Sequence, residues 1–335
     1  MIANFHAQAL AKIANATLTG CCSRSVDSAT QFAKQNNCQA FSSLSEMLES
    51  DKIDAVAICS PSGNHLQAAE MAAAAGKHVI IEKPLEVSVE RCDRIIQICQ
   101  KNNVVLSTIF QSRFHHSSAL LKDAIRQGRF GKLTLANAYV KWYRTQEYYD
   151  SGQWRGTWDL DGGGALMNQA IHNVDLLQWM MGPVVEISAF VATLTHERIE
   201  VEDTAVANLR FANGALGTIE ATTSAWPGSL KRTEIYGEHG SAIIEDADIC
   251  KWEFAESTPA DTKILESFQN KNTTTGGADD PSALDVSGHV AQFENILSAI
   301  HDNQPLMVDG HEARKSVEII DAIYRSAKTG QIVKL

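Results

Sequence analysis

Through its first 109 residues the chain alternates short, almost wholly apolar runs with stretches whose apolar positions recur every three or four residues. The runs "TLTGCC" (17–22), "DAVAICS" (54–60), "KHVIIEKP" (77–84) and "NVVLSTIF" (103–110) have the length and β-branched content of strands. Between them "DSATQFAKQNN", "NHLQAAEMAAAAGK" and "SVERCDRIIQICQKNN" carry helical spacing. Strands apolar on both faces, alternating with helices, predict a parallel sheet covered on both sides. Beyond about residue 130 the texture changes to longer alternating runs: "KLTLANAYVKWYR", "VVEISAFVATLT", "DTAVANLRF", "ALGTIEATTSA" and "KRTEIYGE". Asn-Gly in "RFANGALG" separates two of them and has the composition of a tight hairpin turn, so this half is read as an antiparallel sheet with added helices.

One helix, "GALMNQAIHNVDLLQWMMG", interrupts the second half between glycines. The stretch 255–287 is polar and rich in Gly, Thr and Pro, and is read as a mobile surface excursion. Two more helices, "VAQFENILSAIHDNQPLMV" and "HEARKSVEIIDAIYRSAKTG", close the chain. With 335 residues, two domains are expected.

Charge and cysteine usage narrow the function. Acidic residues outnumber basic ones 40 to 29, a formal charge of -11, and no Lys/Arg block tracks a phosphate backbone, which excludes nucleic acid as the expected partner. No run has the length of a membrane span and no signal core opens the chain. The seven cysteines, Cys21, Cys22, Cys38, Cys59, Cys92, Cys99 and Cys250, form no CxxC pair and read as reduced core residues of a cytoplasmic protein.

Two clusters carry candidate chemistry. Glu82-Lys83-Pro84 follows the apolar "HVII" and so falls at the carboxyl end of a parallel strand, where open α/β sheets bind ligands. It fits an exposed turn with a salt-bridging lysine as well as it fits a lysine that polarises a hydroxyl. In "DLDGGGALMNQAIHNVDLLQW", Asn168, His172 and Asp175 have the spacing of one helical stripe, and Gly162, Gly163 and Gly164 let a ligand or another segment approach the backbone. His172 is either a structural histidine or a proton-transfer group suited to neutral pH.

Taken together, these clusters resemble the Gfo/Idh/MocA oxidoreductase family. The resemblance is carried by Glu82-Lys83-Pro84, "SPSGNH" (60–65), "GGGALMNQAIHNVDLLQWMMG" (162–182) and the closing "EARKSVEIIDAIYRSAKTGQIVKL", in order across essentially the whole chain. It implies a dinucleotide-binding Rossmann domain over 1–109. It also implies a substrate-binding and oligomerisation α+β domain over 110–335, built on an open, mostly antiparallel sheet, with its C-terminal helices returning toward the first domain. The family carries a first strand and a G-x-G-x-x-G/A turn ahead of its first helix. Aligned to that pattern, Met1 follows the second glycine and Ile2 and Ala3 complete the fingerprint, so the sequence as given is expected to start inside it; a start assigned too late, a shortened chain and a natural chain with a crippled cofactor site all stay open, the first being favoured because the rest of the site is intact. His6 then falls on the helix turn expected to face a pyrophosphate.

The resemblance makes Lys83 the lysine that contacts nicotinamide ribose and substrate hydroxyl, and His172 the acid-base residue. Ser60, Pro61, Asn64, His65 and Glu82 would line the cofactor, Gln111 and Arg113 would lie near the nicotinamide with Arg113 also toward substrate, and Trp154 and Arg155 would cover cofactor or substrate. Many family members have Asp where this chain has Asn168; an amide cannot accept a proton, although it can bond a substrate hydroxyl. Ser23 and Arg24 end the second expected strand with no carboxylate before Asp27, which leans the NAD(P) choice toward NADP, unless Arg24 is a solvated turn residue. The implied substrate is a sugar, cyclitol or nucleotide sugar, nearest in texture to the branch that oxidises the 3-hydroxyl of UDP-N-acetylhexosaminuronic acids. Arg144 and Arg155 are candidate carboxylate or phosphate partners, and Lys141 fits an ordinary charged strand face better. Hydride transfer is the expected reaction, with an NAD-dependent glycoside hydrolase or a non-catalytic sensor of the same family as alternatives. A homodimer or homotetramer is expected through the open sheet.

Overall fold

The structure, a computed structural model, describes residues 2–269 and 286–335. It divides into two compact units, residues 1–111 with 286–314, and residues 112–285 with 315–335.

In the first unit the four apolar runs become β1 (Gly20–Cys21), β3 (Ala55–Ile58), β4 (His78–Ile81) and β5 (Leu106–Thr108), and a short exposed strand that was not expected, β2 (Gln39–Ala40), lies between the first two. All pairings are parallel, but they make two sheets, β1-β2 and β3-β4-β5, where one was expected. Among the described residues no strand hydrogen-bonds both β1 and β3. Two of the helices start where short polar side chains satisfy their first N–H groups: Ser25 accepts from Ser28 at the head of Val26–Asn36, and Ser88 from Arg91 at the head of Val89–Lys101. Cys92, Ile95, Ile96 and Cys99 form the buried stripe of the second of these. Ile80 at the centre of β4 packs in a core with Ala9, Ile13, Ile109, Phe293 and Ile296, so the strand is anchored just before its polar end.

The second unit is built on one eight-stranded sheet. Its members are β6 (Leu133–Lys141), β7 (Val184–Ala192), β8 (Thr204–Phe211), β9 (Leu216–Thr222), β10 (Arg232–Gly237), β11 (Gly240–Glu245), β12 (Asp248–Phe254) and β13 (Val333–Lys334), in the order β12-β11-β10-β6-β9-β8-β7-β13. Every pairing is antiparallel except β6 with β9. The expected Asn-Gly hairpin joins β8 to β9, with Gly214 at φ +86°, a left-handed conformation that glycine adopts without strain. Alternation decides the faces: Ala205, Ala207, Leu209 and Phe211 of β8 point inward, while Val206 and its neighbour Phe190 on β7 face out.

Three expectations are corrected here. The single helix expected from Gly164 onward is a six-residue π turn, Ala165–Ala170, followed by an α-helix, Ile171–Met181. The segment expected to be a polar excursion contains a helix, Pro259–Gln269, while its remainder, 270–285, lies outside the described residues. That helix is held by Asp261, which accepts from Arg129, from the Trp252 indole and from Thr258, contacts that periodicity cannot display. Cys250, expected in the core, is exposed; the other six cysteines are buried or half-buried, and all seven are free.

Candidate active site

Glu82, immediately after β4, is buried, and its two oxygens are engaged differently. Oε1 lies 2.6 Å from His6 Nε2, and Oε2 accepts the Lys83 backbone N–H at 3.1 Å. Burial would raise its pKa, but the His6 contact and the Lys83 charge reverse that and hold it below the usual carboxylate value. Burial alone would lower His6; the Cys59 thiol 3.5 Å from Nδ1 and the Glu82 carboxylate raise it to about 10. His6, expected to face a pyrophosphate, is thus an internal partner of the Glu-Lys-Pro turn. His65 is buried with Nδ1 3.0 Å from the Pro84 carbonyl and Nε2 3.0 Å from the Ser60 carbonyl, which ties the two strand-end loops together. Glu86, which sequence reasoning passed over, accepts from Arg91 and from the backbone of Leu66 and Val87. Lys83 sits half-buried on a turn whose backbone is braced from both sides.

The His6–Glu82 pair has a defined pH signature. A histidine raised from 6.5 to about 10 contributes its full stabilisation below about pH 6.5 and loses it as pH climbs through 10. The thermal stability deficit of a His6→Asn variant is therefore expected to be large near pH 6 and to shrink toward roughly pH 10, read as the difference in Tm from the parent.

Around these buried groups the strand ends present polar side chains. Ser23 and Arg24 after β1, and Ser60 and Asn64 after β3, are exposed; Pro61 is half-buried, as are Ile2 and Ala3 on the first helix, and Gln111 is buried.

In the second unit the glycine run meets protein, not open space. A Cβ on Gly164 would stand 1.8 Å from the Glu202 carbonyl oxygen, and one on Gly163 would stand 2.1 Å from the Tyr324 hydroxyl. The π turn that follows carries Asn168, and His172 is the second residue of the helix beyond it; both are half-buried. Asn168 Nδ2 donates to Asp161, and because a carboxylate only accepts, this contact fixes which way the amide points. Its Oδ1 accepts from Gln169 at 3.1 Å. Gln169 also accepts from Arg144 and donates to the Tyr148 hydroxyl, which accepts from Arg155 at 2.6 Å. Arg155 lies over the rings of Tyr148 and Trp154, and Arg144 over Trp142. Burial lowers the Arg144 pKa, and the nearby positive charge of Arg155 lowers it further. Two guanidinium groups held close by aromatic and amide neighbours suit an anion.

Other expected contacts are committed elsewhere. Arg113 and Asp175 are fully buried and joined by two bonds, Nε to Oδ2 at 2.8 Å and NH2 to Oδ1 at 2.7 Å. Asp175 therefore leaves the stripe expected with Asn168 and His172, and Arg113 has its planar fork filled by a carboxylate of its own chain. Lys141 pairs with Glu220 on an exposed strand face, the role expected for it.

Residues 1–110 match the family model described as "Oxidoreductase family, NAD-binding Rossmann fold", and residues 119–243 match "GFO/IDH/MocA C-terminal domain". The fold also superposes on the WlbA dehydrogenase of Bordetella pertussis, solved with NADH and UDP-GlcNAcA, with a TM-score of 0.89 and 36% identity over 100% of this chain and 95% of that one. The chain belongs to the Gfo/Idh/MocA oxidoreductase family. Among its curated relatives are myo-inositol 2-dehydrogenase of Thermotoga maritima, 31% identical over 62% of this chain, and UDP-N-acetylglucosamine 3-dehydrogenase of Acidithiobacillus ferrooxidans, 26% identical over 94% of this chain and 90% of its own length. The chain spans about three fifths of the length of the Thermotoga relative, 61%.

For a Gfo/Idh/MocA chain the implied cofactor is a nicotinamide dinucleotide, and the first unit fits one. Its exposed strand ends offer hydroxyl, amide and guanidinium groups at Ser23, Arg24, Ser60 and Asn64, chemistry that suits ribose and phosphate oxygens. Sequence reasoning missed Asp161, Glu86 and Glu202; the only local signal was an acidic residue beside a glycine run or a turn. Among the described residues no helix is long and apolar enough to cross a membrane.

Proposed function

We propose that this chain is an NAD(P)-dependent dehydrogenase or reductase acting on a hydroxyl-bearing carbon of a polyhydroxylated substrate, with an anionic nucleotide sugar of the hexosaminuronate type as the favoured class. The observation that carries the substrate class is the Arg144–Gln169–Tyr148–Arg155 network beside Asn168. The likeness to WlbA, solved with UDP-GlcNAcA, supports the same class.

When bound, the nicotinamide supplies or accepts the hydride. In the oxidative direction His172 takes the hydroxyl proton, and the Lys83 ammonium stabilises the oxygen as negative charge develops on it. Asn168, oriented by Asp161, accepts from a second hydroxyl through Oδ1 and so aligns the sugar ring. Arg144 and Arg155 hold the carboxylate or phosphate, with Trp154 covering Arg155. Ser60, Pro61, Asn64, Gln111, Ile2 and Ala3 line the dinucleotide. Ser23 and Arg24 favour the 2′-phosphate of NADP, because the first carboxylate after β1 is Asp27, already inside the next helix.

The second unit supports self-association. On the outer face of the sheet Phe190, Val206, Glu220 and Tyr139 form one cross-strand row and Leu216 lies beside Leu135 in another, with Phe190 80% exposed. Exposed apolar side chains of this kind on one sheet face suit a second copy, as a homodimer or homotetramer. Seven free cysteines fit a reducing, cytoplasmic compartment.

The test is a panel of inositols, aldoses, UDP-N-acetylglucosamine and its uronate, each assayed with NAD and NADP at the nicotinamide absorbance. The uronate is expected to give the highest kcat/KM, NADP to be preferred, and Arg155→Ala to remove most of the advantage of the uronate over the neutral sugar. Turnover of none of these overturns the dehydrogenase reading, release of an aglycone without net cofactor reduction replaces it with glycoside hydrolysis, and strict use of NAD removes the role given to Arg24.

A further inference from the structure

Glu202 has no part in the reaction just described, yet it is buried at the start of the π turn and its acceptors are fully engaged. Its Oε2 accepts the Gly164 N–H at 3.0 Å and its Oε1 the Leu166 N–H at 2.8 Å. Its carbonyl accepts the Ala165 N–H at 3.1 Å, and the Tyr324 hydroxyl lies 3.0 Å from both carboxylate oxygens. Three consecutive N–H groups that no preceding turn of helix can satisfy therefore end on one residue. Gly163 and Gly164 are glycines because Tyr324 and Glu202 occupy the space a Cβ would need. The turn fixed in this way runs through Asn168 and delivers His172 two residues after its last member.

We infer that Glu202, braced by Tyr324, is a positioning residue that holds the turn bearing Asn168 and His172 in the geometry for proton transfer; this rests on the proposed dehydrogenase reading. Burial raises the Glu202 carboxyl to about 7, against the pull of its backbone and Tyr324 hydrogen bonds. The ionised form accepts from every donor around it. The protonated form turns one oxygen into a donor whose only neighbouring acceptor among those partners is the Tyr324 hydroxyl, so the grip on the turn weakens. The turn is then held more firmly, and kcat is higher, above about pH 7 than below it. The titratable groups facing this carboxyl are Tyr324 from the 315–335 segment, Tyr149 from the helix Gln146–Asp150, and Asp161 from the glycine loop, which acts on both tyrosines. Both tyrosines are raised by burial and stay neutral through this range.

The test uses the full chain carrying Glu202→Gln or Tyr324→Phe. With its best substrate, Glu202→Gln is expected to lower kcat on the order of tenfold with KM nearly unchanged, and to erase a kcat limb near pH 7. Tyr324→Phe, which removes a donor to the carboxylate, is expected to move that limb upward. Without substrate or cofactor, the backbone amide resonances of Gly164 and Leu166 should show an NMR inflection near pH 7 that disappears in Glu202→Gln and moves upward in Tyr324→Phe. Retention of the limb and of parental kcat in Glu202→Gln overturns the inference. Should the parent turn over no substrate, the dehydrogenase reading fails by itself, and the amide titration still decides: an inflection that is absent in the parent, or unmoved by either variant, removes Glu202 from the turn. Should Glu202→Gln fail to fold, Tyr324→Phe carries the same decision.

Discussion

Lys83→Ala and His172→Ala are each expected to lower kcat by roughly two to four orders of magnitude, with dinucleotide binding, read by nicotinamide fluorescence, preserved at least in His172→Ala. The size follows from what each group does. In the proposed mechanism, loss of His172 leaves the hydroxyl proton to pass to water, and loss of Lys83 removes a cation that would stabilise the developing oxygen charge. Such groups act on one transition state, so the double variant is expected to fall little below the weaker single one; losses that multiplied in full would point to independent steps. Turnover near the parental rate in the double variant would take both residues out of the reaction and with them the proposed mechanism.

Asp175→Ala is expected to destabilise the second unit by about 3–5 kcal/mol, because it removes the carboxylate that holds the buried Arg113 guanidinium by two bonds. Both side chains have 0% exposure, so bulk water does not replace the lost carboxylate without local opening. An Arg113→Met, Asp175→Leu double variant should recover most of the loss, since desolvating the pair offsets much of its mutual attraction. Urea unfolding followed by tryptophan fluorescence suits the measurement, because Arg113 stacks 5.3 Å from the ring centre of Trp179. A deficit below about 1 kcal/mol would mean that the second unit relaxes enough to solvate Arg113.

These two expectations come from different depths of the molecule. The position of Lys83 just beyond a parallel strand was legible in the sequence, because an apolar run ending in charged residues marks the carboxyl end of such a strand. The Arg113–Asp175 pair was not, since sixty-two positions separate its members; Arg113 read as a substrate contact and Asp175 as part of a helical stripe. The partner of His6 was illegible for the same reason: Glu82 lies seventy-six positions away.

The chain by itself determined the alternation of strands and helices in its first third, the antiparallel sheet of its second part, the Asn-Gly hairpin, and the residue types able to move a proton. Periodicity and turn chemistry act over a few residues, so they are written locally. Only the tertiary structure decided that the glycine run receives Glu202 and Tyr324, that Asp161 turns the Asn168 amide, and that Asp261 holds a helix in a stretch of loop-like composition. Those outcomes depend on which buried donors and acceptors meet, and that follows from how distant segments pack.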